Sequence, residues 1–247
     1  MIEGNSTSEI DAKPFATTAI QVGFYSAIIL AVVTVVTFGV ALIAVPISGP
    51  FCPEDCVEYP YLDTLEEFPR DYLWMFPASL LVLVYVVLVS TIHSCAASQK
   101  RVFSQIGLSF SIMAAAILLM DYFIQFSVIP VSLMKGETDG IPIWTQYNPH
   151  GMFIVLEELG FLLISLSFLF ISLVLPRESR LEAAVRWTFL AGFFLTIVSL
   201  ILIVMAYGMD RSYRFEVAVI SIDWLVITIN GVLLSLVFKR RLMCEPK

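Results

Sequence analysis

Four carboxylates stand inside long apolar stretches of this 247-residue sequence: Asp121, Glu157, Glu158 and Asp223. A charged side chain at the centre of a membrane-spanning helix costs roughly 2.5–3.5 kcal/mol on insertion scales. Such residues therefore mark ion paths, proton relays, ligand sites or helix–helix contacts. Carboxyl groups in apolar surroundings can hold protons or share a cation. Gln125 follows Asp121 by one turn, and Asn230 follows Asp223 by one heptad. His150, within Asn148-Pro149-His150-Gly151, adds an imidazole that could donate a proton or ligate a metal. In the same motif Asn148 or His150 could cap a helix, Pro149 suits a helix start and Gly151 permits close approach. Cys52 and Cys56, in Cys-Pro-Glu-Asp-Cys, are spaced for a local disulfide in an oxidising compartment.

The elements that must position these residues follow from composition. Hydrophobic residues make up 59% of the chain and charged residues 14%, about half of what a soluble domain carries. Mean hydropathy is +0.89. Six windows predict membrane-spanning helices: 19–45, 73–93, 103–129, 152–175, 187–207 and 217–238. In lipid the backbone must satisfy its own hydrogen bonds, so each window is a helix. The continuous apolar run 161–175 excludes the alternation of a β-barrel. The fold class expected is all-α, one polytopic six-helix membrane bundle over residues 1–247, with an acidic extracytoplasmic loop at 46–72. The first window is too long for a cleavable signal, and its tail (Glu3, Glu9, Asp11, Lys13) is acidic, so it reads as a retained anchor.

Orientation follows from the cations. With the N-terminus inside, Lys13, Lys100, Arg101, Arg177, Arg180, Arg186, Lys239, Arg240, Arg241 and Lys247 fall in the cytoplasm. Only Arg70, Lys135, Arg211 and Arg214 fall outside. Both termini are thus expected in the cytoplasm, of a cell that carries the protein in its plasma membrane. Tyr72, Trp74, Trp144, Tyr147 and Trp187 are expected as interfacial anchors. The Asn5 sequon falls on the cytoplasmic tail under this topology.

Small residues predict the packing faces. Gly107, Ser111, Ala114, Leu118, Asp121 and Gln125 share one face of the third helix, so Asp121 and Gln125 point at protein. Ala27, Ala31, Thr34 and Ala41 mark the first helix, and Gly192, Thr196, Ser199 and Ala206 the fifth. Helix rise places Asp121 about 12 Å from the outer end of its helix, Glu157 and Glu158 about 8–10 Å from theirs and Asp223 about 9–10 Å from its own. All four share one level, with Gln125, Asn148 and His150 just above. The expectation is a carboxylate cavity open to the outside and lined by Asp121, Gln125, His150, Glu157, Glu158, Asp223 and Asn230, with no cation inside the spans. Glu157 and Glu158 are roughly 100° apart on the helix, which leaves open which of them faces the cavity.

Several membrane chemistries are excluded. Two histidines, His93 and His150, at opposite faces cannot make a three-histidine zinc site. No Gly-x-Ser-Gly nucleophile of rhomboid type, no paired aspartyl-protease motif, no Schiff-base lysine within a span and no nucleotide-binding glycine pattern occurs. No cofactor is implied, and a net charge of -7 argues against nucleic acid. Three readings follow. The first is a small carrier or ligand-binding protein for a proton, a cation or a cationic solute. The second is an assembly or sensor subunit bound to a partner membrane protein. The third is an enzyme acting on a lipid or isoprenoid, with His150 and one glutamate as acid and base, although no complete catalytic set is present.

Overall fold

The computed structural model of the protein describes residues 7–46, 49–52, 54 and 56–244, with side chains between residues 17 and 243. Asn5, the charged side chains of the tail, Asp55 and Lys247 lie outside the described residues. Among the described residues the regular elements are all helical. In chain order they are α1 (Thr7–Ala44), α2 (Met75–Ser94), α3 (Arg101–Ser127), α4 (Ile129–Lys135), α5 (Ile141–Trp144), α6 (Met152–Val174), α7 (Arg180–Tyr207) and α8 (Arg214–Cys244), with short 3-10 turns between α1 and α2 and before α3. Six segments are long and apolar enough to cross a bilayer, with α3 and α4 forming one of them.

Local chemistry sets the boundaries. α7 begins at Arg180, seven residues before the apolar window predicts. The Ser179 Oγ accepts from the Glu182 N–H (3.2 Å) and the Ser179 N–H donates to Glu182 Oε2 (3.3 Å), a reciprocal cap that extends the helix through charged turns. α8 likewise starts at Arg214 rather than at residue 217. α3 and α4 are separated at Val128 because Pro130 has no N–H to continue the ladder. α4 then ends on Gly136, whose φ of 70° requires a residue without Cβ.

The spans pack in a closed ring, α1–α2–α3–α6–α7–α8, and α6 also touches α8 across it. α6 is therefore the central helix, with 61% of its most apolar window buried against 17% for peripheral α7. Small residues allow the close crossings. A Cβ on Gly160 would stand 2.5 Å from Leu118 Cγ of α3, and one on Gly192 of α7 would stand 2.7 Å from Val226 of α8. A Cβ on Gly231 would stand 2.9 Å from the Ala27 carbonyl oxygen. The predicted α3 stripe, from Gly107 to Gln125, is buried throughout. On α1 the buried face runs Ala27, Ala31, Thr34, whereas Ala41 is half-buried. On α7 the stripe stops after Thr196: Ser199 is half-buried and Ala206 exposed.

Candidate functional site

The loops 56–74, 136–151 and 208–213 meet at one end of the bundle, the loop end, and the turns 95–100 and 175–179 at the far end. Cys52 and Cys56 are joined by a disulfide at the loop end. Below it three helices bring carboxyl groups together. Asp121 of α3 and Glu157 of α6 are fully buried. Glu216 of α8, half-buried, and Asp121 lie within electrostatic reach of Glu157 and of each other. The Tyr122 hydroxyl donates to Glu157 Oε1 at 2.8 Å. Neither Asp121 oxygen, nor Glu157 Oε2, finds a donor. Trp74 and Trp224 pack beside this group, with Trp74 5.3 Å from the Tyr122 ring and 6.4 Å from Trp224, and both indole N–H groups are buried without an acceptor.

Glu158 has a different environment. The Arg211 guanidinium grips it with two bonds, Nε donating to Oε1 at 3.1 Å and a terminal nitrogen donating to Oε2. This hydrogen-bonded carboxylate holds the Arg211 guanidinium above its usual range. Arg211 lies in the loop between α7 and α8 and reaches Glu158 from outside the spans. Arg214, the first residue of α8, stacks over the Tyr207 ring at 4.1 Å.

Asp223 does not join the upper group. The Ser165 hydroxyl donates to its Oδ1 at 2.7 Å and also stands 2.8 Å from Thr196 Oγ1. Ser165 is eight residues, about 12 Å of helix, beyond Glu157. α8 starts three residues before the predicted window, about 4.5 Å of rise, which accounts for part of the difference, and Glu216 stands one heptad above Asp223. Asn230 lies a heptad deeper again, buried, with neither amide atom bonded.

Residues 144–147 lie across the loop end as a plug. Gln125 donates to the Trp144 carbonyl oxygen and accepts from the Gln146 N–H at 3.1 Å, so it serves the plug rather than a cavity. Asp71, which sequence places in the solvated acidic loop, is fully buried. Its Oδ2 accepts from the Tyr147 hydroxyl at 2.7 Å and from Gln146 Nε2 at 3.2 Å. The Tyr213 hydroxyl donates to the Tyr147 carbonyl oxygen. Tyr147 is thus an internal bolt, not an interfacial anchor, and burial beside Asp71 pushes its phenol well up.

His150 faces solvent, its Nε2 3.7 Å from Asp210 Oδ1, with side chains 60% and 83% exposed. It does not meet the buried glutamates as an acid–base pair. Asn148 does not cap α6, whose N-cap is Gly151; it donates to the Pro142 carbonyl oxygen and accepts from the His150 N–H. Gly151 does make the close approach expected, 3.0 Å from two carbonyl oxygens were it to carry a Cβ. Among the described residues no three His, Cys, Asp or Glu side chains are near enough to hold one metal ion. Comparison with known protein families, with curated proteins and with solved structures gives no match.

Glu216 and Asp71 are the residues that sequence reasoning missed. Glu216 stands one position before the predicted window, and a window that ends on a carboxylate is the signal that could have found it. Asp71 stands two positions before its window, beside Tyr72 and Trp74, where the chain has already turned inward.

Proposed function

We propose that this is a small membrane carrier that binds a proton, or exchanges one for a cationic solute, at Asp121, Glu157 and Glu216. It would sit in the plasma membrane with both termini in the cytoplasm, the disulfide outside and lipid against its outer faces. One observation carries the reading: carboxyl groups from three helices, Asp121 and Glu157 buried and Glu216 half-buried, lie within electrostatic reach of one another, and the Arg211 guanidinium is committed to Glu158. An ion pair would make such a cluster a strut; without one it is a place where a proton can be gained or lost. No set of three donors with metal-ligand spacing occurs there among the described residues, which favours protons over a metal ion. The plug of residues 144–147 would have to move for exchange with the outside, and its hydrogen bonds to Asp71, Gln125 and Tyr213 can be remade on closing.

The test is reconstitution in liposomes with an imposed pH gradient, reading proton movement with and without organic cations. Flux lost in Glu157→Gln and Asp121→Asn but kept in Glu158→Gln supports the carrier. A protein that moves no protons and copurifies with a stoichiometric membrane partner would support the assembly-subunit reading instead.

A further inference from the structure

Three polar residues of α8 fall at heptad spacing: Glu216, Asp223 and Asn230. Seven residues bring a helix back to nearly the same face, so these three form a column about 21 Å long. The facing helix repeats the pattern with Glu158, Ser165 and Ser172, all buried. α6 and α8 are in direct contact, and the Ser165–Asp223 bond pins the two columns together. α2 adds Tyr85, whose hydroxyl donates to Ser167 of α6 at 2.9 Å and which lies within electrostatic reach of Asp223. α7 adds Thr196.

Two groups in this seam are built for a partner that the protein does not supply. Asp223 Oδ2 has no donor, and Asn230 is buried with both its donor and its acceptor unused. Buried amides of this kind are usually completed by water. Beyond Asn230 the seam meets a cavity of about 300 Å³ at the far end. The same three helices wall it: Ile92, one heptad past Tyr85; Val174, two residues past Ser172; and Leu234 and Val237, four and seven residues past Asn230. Lys100, Glu178 and Arg241 stand on its lining, so it is wettable.

We propose that Glu216, Asp223 and Asn230 are the stations of a proton path that links the carboxyl cluster to this far-end cavity along the α6–α8 seam. A proton taken up between Glu157 and Glu216 passes through water to Asp223, is held there as the neutral acid bonded to Ser165, and leaves past Asn230 into the cavity. Stations about 10.5 Å apart exceed hydrogen-bond reach, so water carries the proton between them. Asn230 does not ionise; its amide orients the water below Asp223. The path rests on the carrier reading of the upper cluster and extends it across the membrane.

The experiment uses the full chain in liposomes that contain a pH-sensitive dye, with an inward proton gradient and a potassium ionophore to balance charge. The wild type should acidify the lumen. Asp223→Asn should slow this at least tenfold and Asn230→Leu several-fold, whereas Glu157→Gln should reduce it to the lipid background. Asn230→Leu removes an unbonded amide and adds no charge, so it decides the matter if Asp223→Asn does not fold. Wild-type rates in a reconstituted Asn230→Leu protein would overturn the path and leave the carboxyl cluster untouched. Absence of Glu157-dependent uptake in the wild type would overturn the carrier reading and the path with it.

Discussion

Glu157 and Glu158 are adjacent on one helix and live in opposite environments. Glu158 is held by both arms of Arg211 and ties α6 to the loop before α8. Glu157 faces Tyr122, Asp121 and Glu216 and has no cation. A charge with a fixed counter-charge is structure, since moving its proton would strand an arginine. A carboxyl among other carboxyls is poised for exchange, since each like charge beside it favours its neutral form. A turn of roughly 100° about the α6 axis separates a strut from a site.

The sharpest way to break this contrast is to neutralise each side. Glu157→Gln is expected to reduce proton uptake in liposomes to the lipid background while the protein still purifies as a folded species, since glutamine can accept from Tyr122 as glutamate does. The next largest effect is expected at Gly160, which lets α3 approach the helix that carries both glutamates. Gly160→Val should destabilise by about 1–3 kcal/mol through overpacking against Leu118, read as a lower unfolding midpoint in detergent. Glu158→Gln should cost about 1–2 kcal/mol, because Arg211 is partly exposed and finds water. It should keep proton uptake, and a double-mutant cycle with Arg211→Gln should recover most of the loss as coupling. Tyr147→Phe should cost about 1 kcal/mol by leaving Asp71 with one fewer donor, and hydrogen exchange at residues 144–147 should quicken.

Cys95 offers a small, separate check on the far end. Burial pushes its thiol up, so in a Cys244→Ala background it should react slowly with maleimide, and faster as pH rises above the ordinary thiol range. Cys95 lines the far-end cavity, so a reagent confined to the face opposite the disulfide should be the one that labels it.

The spans were legible because lipid leaves the backbone no alternative to helix, and the α3 stripe was legible because small residues at heptad spacing have one use in a membrane. The choice between Glu157 and Glu158 was not legible, because it depends on Arg211, which lies more than fifty residues away in a loop. Asp223 was placed too high in part because hydropathy cannot see the first turn of α8, with Arg214 and Glu216, as helical. The charges that end an apolar window do not end a helix. Asp71 and Gln125 read as loop acid and cavity lining, yet both hold the plug, a tertiary arrangement of irregular backbone with no periodic trace.

The measurement that bears most directly on the central claim is proton uptake by the purified, reconstituted protein after a pH step, read in parallel for wild type, Glu157→Gln and Glu158→Gln. The buried-cluster account expects uptake in the wild type and in Glu158→Gln and none above background in Glu157→Gln. Equal uptake in Glu157→Gln and the wild type, with both folded, would contradict it.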